Sequence, residues 1–159
     1  MKNLESHQIW MNQAIALARE AGATGEIPVG AVIVNKAGEA IATGVNRKER
    51  DHDPTAHAEI VAIRAAARVR RDWHLTGCTL YVTLEPCPMC AGAILQSRLS
   101  TLVYGADDPK AGAIRTVANL PDSPVSFHQL EAIGGICEQE CQELLQAWFK
   151  NLRDTPFPT

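Results

Sequence analysis

The chain has 159 residues, 46% hydrophobic and 21% charged, which fits one compact domain with its own core over residues 1–159. A formal charge of −3 excludes indiscriminate nucleic-acid binding while leaving room for local basic patches. Five cysteines, an odd number, exclude a fully paired disulfide framework, and no apolar run nears the ~20 residues that span a bilayer, so with no secretory leader at Met1-Lys2-Asn3-Leu4 the expectation is a soluble cytoplasmic protein.

Ser6 is placed to cap a first helix over 6–21, with Trp10, Ala14, Leu17 and Ala21 recurring on one face. Gly22, Gly25 and Pro28 break it. Residues 29–34 are a short apolar run bounded by turn residues, a buried strand; 35–38 form a turn and 40–46 the hairpin partner. Residues 47–53 are polar loop. Asp53-Pro54-Thr55 opens a second helix, with Pro54 where a missing N–H does no harm, and the helix runs to about Arg70. His57 and Glu59 fall in or near its first turn. Then come a strand over 79–83, a helix over 87–97, a strand over 101–104, mostly loop over 105–124 and a short strand over 129–132. A last helix over 138–152 carries Leu144, Leu145, Trp148 and Leu152. A hairpin followed by strands alternating with helices predicts an α/β fold: a three-layer α/β/α sandwich, its central mixed sheet of about five strands covered by helices on both faces.

Chemistry concentrates in Pro86-Cys87-Pro88-Met89-Cys90 and His57-Ala58-Glu59. Cys87 and Cys90 stand three apart just after a proline that can open a helix, and side chains at that spacing lie about 5–6 Å apart on one face. Two sulfurs there can reach one metal at ~2.3 Å each, and His57 can add an imidazole nitrogen. Three protein ligands and one open position make a catalytic kind of zinc site, because water takes the fourth place. Glu59, two residues from the histidine, is the candidate to move that water's protons. Taken singly, the cysteines read equally well as packing residues, His57 as a surface histidine and Glu59 as a solvated carboxylate. Cys78 falls at the far end of the strand leading into the motif, too remote for a fourth ligand. Cys137 and Cys141 read as a partly buried pair with no ligand types near them. Gly30, following Val29, could let the backbone approach a flat base or could be a plain strand glycine. Asn46 could offer a bidentate amide to a base edge, or be a turn residue.

These residues resemble the cytidine deaminase superfamily, and within it the bacterial tRNA-specific adenosine deaminases. H-x-E followed by P-C-x-x-C is the mark of zinc-dependent base deaminases. The resemblance extends to Pro28-Val29-Gly30-Ala31-Val32, Asn46, Asp53-Pro54-Thr55-Ala56, Tyr81-Val82-Thr83-Leu84-Glu85, Ala91-Gly92-Ala93-Ile94, Ser97-Arg98, Tyr104-Gly105-Ala106 and Trp148-Phe149-Lys150-Asn151-Leu152-Arg153, essentially the whole chain. It implies the cytidine deaminase-like sandwich and hydrolytic deamination of adenosine to inosine at the wobble position of a tRNA anticodon. It also implies one Zn2+ per subunit held by His57, Cys87 and Cys90, with Glu59 shuttling protons. Asn46, the backbone N–H of Ala58, Val29 and Gly30 would meet the target base, flipped out of the anticodon stem-loop. A homodimer is implied, and no membrane partner. Members often end in a basic tail, whereas this chain ends Asp154-Thr155-Pro156-Phe157-Pro158-Thr159. RNA contact then rests on local groups: Arg47, Lys48 and Arg50; Lys110 with Arg115; and Phe149, Lys150 and Arg153. Arg64, Arg68, Arg70 and Arg71 form a further group, better read as a solvated helix face. The alternatives are a free-base or nucleoside deaminase of the same superfamily, acting on guanine or cytosine, and a non-catalytic zinc-containing RNA-binding module, in which Glu59 has no use.

Overall fold

In the computed structural model, residues 3–155 are described; Met1-Lys2 and the 156–159 end of the non-basic tail lie outside them. The central element is strand β1 (Gly30–Val34), buried along its whole length. Its side chains alternate between two apolar clusters, Ala31 and Ile33 entering one, Val32 and Val34 the other. That is the period-two pattern of a strand covered on both faces, and it explains why the run is apolar throughout. β1 pairs antiparallel with β2 (Ala40–Val45) on one side and with β3 (Thr79–Leu84) on the other. Parallel strands β4 (Thr101–Ala106) and β5 (Glu131–Ile133) extend the sheet to the order β2-β1-β3-β4-β5. The five-stranded mixed sheet with helices on both faces is the predicted sandwich.

Helices α1 (Leu4–Ala23) and α5 (Glu138–Asp154) cover the Val32/Val34 face through Met11, Ala14, Ile15 and Cys141. Helices α3 (Ala58–Arg70) and α4 (Pro88–Gln96) cover the opposite face through Ala58, Ala62, Ala66 and Ile94. With so few aromatic residues, close approach of backbones does much of the packing. A Cβ on Gly30 would run into the Ala14 carbonyl and stand 2.7 Å from Ala18 N, both in α1. A Cβ on Gly44 would meet the Ala58 carbonyl and stand 2.7 Å from Ala62 N, both in α3. Each glycine lets one helix lie directly on the sheet. Gly30 therefore serves helix packing on the face that α1 covers.

The starts of two helices and one expected loop differ from expectation for local reasons. α1 begins a turn early because Asn3, not Ser6, is the cap: its Oδ1 accepts from Ser6 N–H at 2.9 Å. α3 begins at Ala58, not at Pro54, because Asp53 Oδ1 takes the Thr55 N–H and hydroxyl at 2.8 and 2.7 Å, folding 53–55 into a turn. Part of the expected polar loop is a short helix, α2 (Lys48–Asp51). The buried Glu26 carboxylate starts it, accepting from Glu49 and Arg50 N–H at 3.0 and 3.1 Å.

Candidate active site

Helices α3 and α4 present their N-termini to one another on the same face of the sheet. His57 occupies the N-cap of α3 in extended conformation (φ −72°, ψ 154°), and Cys87 the N-cap of α4, with Pro88 in its first turn. Cys90 follows one turn into α4 and is fully buried. His57 Nδ1 lies 3.6 Å from Cys87 Sγ and 3.4 Å from Cys90 Sγ. The three donor atoms all lie within 4.8 Å of one another, and among the described residues this is the one such grouping of His, Cys, Asp or Glu. Zinc bonds of ~2.3 Å to sulfur and ~2.0–2.1 Å to nitrogen, set at the tetrahedral angle, separate the two atoms by about 3.6 Å. The donor set and its spacing fit that ion.

The electrostatics of the site follow from the same contacts. Cys90 donates toward Cys87, which holds the Cys87 thiol down at about 4, and the N-terminal end of α4 favours the resulting negative charge. Cys90, bonded to that sulfur and buried, is pushed well up. The Cys87 sulfur raises His57 against the opposing effect of burial. Glu59, on the first turn of α3 and 4% exposed, is raised above the ordinary carboxylate range by burial. A carboxyl group poised toward its neutral form can both take and return a proton.

Above these residues opens a pocket of about 220 Å³, whose walls include Val29, Asn46, Lys48, His57, Glu59 and Asp108. Asn46 is buried at its rim, and its amide ties two segments together: Oδ1 accepts from Ala58 N–H at 2.9 Å and Nδ2 donates to the Ile27 carbonyl at 3.0 Å. The Ala58 N–H, expected at the base, is thus spent within the protein. Lys48 and Asn46 are shared with an adjoining pocket of about 210 Å³ that Trp148, Phe149 and Leu152 of α5 complete. Trp148 pins α5 there, donating from Nε1 to the Gly22 carbonyl at 3.2 Å. Phe149 packs edge-on against it, with the ring centres 5.1 Å apart. Lys150 and Arg153 are exposed on α5, Arg50 on α2 and Lys110 in the loop after β4. Arg47 is paired with Asp51 at 2.9 Å, and Arg115 with Asp107 at 3.0 Å, so neither guanidinium is uncommitted. Of the remaining arginines, Arg70 turns back to the Thr76 carbonyl and Cys78 Sγ. Cys137 and Cys141 pack at the start of α5, Cys141 directly beneath Gly105.

Two buried glutamates escaped the reading of the sequence. Glu26 starts α2, and Glu85 gathers the loop after β4. Their signal was an acidic residue against buried segments, Glu26 beside Ile27 and Glu85 between a core strand and Pro86-Cys87.

A mixed five-stranded sheet that sets His-x-Glu and Cys-x-x-Cys at facing helix N-termini is the framework of a zinc-dependent deaminase. The chain belongs to the cytidine and deoxycytidylate deaminase family, whose zinc-binding-region model matches residues 4–106. Within it, the chain is similar to the tRNA-specific adenosine deaminase of Bacillus subtilis (strain 168), 45% identical over 146 residues that cover 92% of this chain and 90% of that protein. It is also similar to a solved structure from work on A-to-I editing by tRNA:A34 deaminases at the wobble position of transfer RNA. That match has a TM-score of 0.83 at 43% identity and covers 86% of this chain and 98% of the other. A guanine deaminase structure from Bacillus subtilis matches with a TM-score of 0.62 at 32% identity, covering 96% of this chain and 97% of that one.

Proposed function

We propose that this chain hydrolyses the 6-amino group of adenosine at the wobble position of a tRNA anticodon, leaving inosine. The observation that carries the reading is Glu59, buried beside His57, Cys87 and Cys90 at the base of a pocket with room for a single flat base. The tRNA-specific relatives, more similar than the guanine deaminase, support the substrate. All of this is carried by one domain.

His57, Cys87 and Cys90 would hold the zinc, which when bound lowers the pKa of a water from ~15.7 toward ~7. The N-terminal end of α4 favours the thiolate of Cys87, and binding the ion would release the hydrogen that Cys90 keeps. Glu59 accepts one proton from the attacking water and delivers it to a ring nitrogen. It then takes the second from the hydroxyl now on the tetrahedral carbon and passes it to the departing amino group, so that ammonia leaves as the carbonyl forms. Asn46 has used one amide hydrogen and one lone pair, so a second hydrogen and a second lone pair are left for a base edge. Val29 supplies an apolar surface against the ring. Lys48 and Phe149 line the adjoining pocket, and with the exposed Lys150, Arg153, Arg50 and Lys110 they would form the surface for the RNA backbone. Arg47 reaches it only by releasing Asp51. Among the described residues no helix is long and apolar enough to cross a membrane, and the tRNA substrate supports a cytoplasmic site of action. A homodimer, with both subunits shaping the RNA surface, completes the reading.

The test is inosine formation in an anticodon stem-loop carrying wobble adenosine, beside free guanine, cytosine, adenosine and cytidine. Conversion of the stem-loop alone, abolished by Glu59→Ala, is the expected result. Turnover of a free base with an untouched stem-loop would replace this substrate by a base; RNA binding unaffected by Glu59→Ala, with no turnover of anything, would make the chain a binding module.

A further inference from the structure

Glu85 is 2% exposed, and its carboxylate collects donors from a single loop. Oε1 accepts from Asp108 N–H at 3.2 Å and from the Thr116 hydroxyl. Oε2 accepts from the N–H groups of Ile114, Arg115 and Thr116 at 3.1, 2.9 and 3.1 Å. The same loop returns Ala113 N–H to the Pro86 carbonyl at 2.9 Å. Gly112 lies so close that a Cβ there would stand 2.5 Å from the carboxyl carbon and both oxygens. The loop is therefore wrapped around this one side chain. Its first turn is closed by Asp108 Oδ1, which accepts from Lys110 and Ala111 N–H at 3.0 and 3.2 Å. Asp108 and Ala111 line the base pocket, and Glu85, its carboxylate taken up by the loop, reaches the same wall.

Only a carboxylate suits five converging donors, because it is acceptor-only at both oxygens. A glutamine of the same shape must turn its NH₂ toward one donor set, and the Asp108 end, with fewer donors, is the one to be released. We infer that Glu85 is a positioning residue for substrate recognition: it sets the wall from Asp108 to Ala111, and Lys110 with it, against the pocket while taking no part at the reacting atoms. This rests on the RNA deaminase reading above.

The experiment compares zinc-loaded wild type with Glu85→Gln and with the milder Thr116→Val. It reads zinc content, amide exchange at 108–112, and steady-state kinetics on the stem-loop. The expected result for Glu85→Gln is full zinc, faster exchange at Asp108 and Lys110, and KM raised roughly tenfold or more with kcat within about twofold. Thr116→Val should shift the same quantities in the same direction by less, and it decides the matter where Glu85→Gln fails to fold. Loss of kcat at unchanged KM, loss of zinc, or kinetics and exchange indistinguishable from wild type would each overturn the inference. A wild type that converts a free base and ignores the stem-loop defeats the RNA reading by itself. The split is then read on that base, where a raised KM retains the positioning role and an unchanged KM removes it.

Discussion

At the scale of single residues, Glu59 and Cys87 show how burial and one neighbour decide chemistry. Glu59 touches the site but contributes no ligand atom to the His57, Cys87 and Cys90 cluster. Glu59→Ala should therefore retain zinc, measured by metal analysis, while the deamination rate falls about 10²–10⁴-fold, as for removal of a general acid–base group. Cys87 and Cys90 differ because one proton serves two sulfurs. Cys87, at about 4, carries the negative charge, and Cys90 keeps the hydrogen. The thiolate is the reactive form. In chelator-treated protein, alkylation of Cys87 should stay nearly constant as pH falls from 8 to 5, where an ordinary thiol with pKa ~8.5 slows about tenfold per pH unit. Peptide mapping of the alkylated protein reads this directly, and a rate at Cys87 that falls like the others would contradict the shared-proton geometry.

At the scale of elements, the site depends on where α3 and α4 begin and how closely they lie on the sheet. Gly44 pairs with Ala31, one residue past Gly30, so the two glycines face opposite helices. Gly30→Ala should destabilise the protein by about 1–3 kcal/mol through overpacking against α1, with kcat/KM of the folded fraction little changed. Gly44→Ala should cost a similar amount and also lower kcat/KM, because the new methyl pushes on the Ala58 carbonyl beside His57 and Glu59. Denaturant titration with parallel kinetics separates the two. Asn3→Ala removes the α1 cap and should cost about 1 kcal/mol, again without effect on turnover, whereas Ser6→Ala should be near neutral. Cap positions were legible only as a choice among polar residues near the first apolar turn. The structure chose Asn3 over Ser6, and a turn closed by Asp53 over a helix begun at Pro54.

For the whole molecule, the apolar clusters on the two faces of the sheet hold the fold, and His57 and Cys87 lie outside both. Removing zinc with a chelator should abolish deamination and lower Tm, since an ion bound only by the native state stabilises it by mass action. The far-UV spectrum should persist, and added zinc should restore activity. A metal-free chain that unfolds outright would place the ion among the elements of the core. The sequence by itself determined the alternation of strand and helix, the mixed sheet, and the residues of the metal motif, because periodicity and the Cys87-to-Cys90 spacing act between near neighbours. The meeting of His57 with Cys87 across 30 residues is as the motif predicts, whereas tertiary structure alone decided that Gly30 faces α1 and Gly44 faces α3, and that Glu26 and Glu85 are buried acceptors. Those facts turn on which backbone N–H groups and which helices arrive opposite a given side chain. That arrival is set by the order of strands in the sheet, which no local pattern of residues encodes.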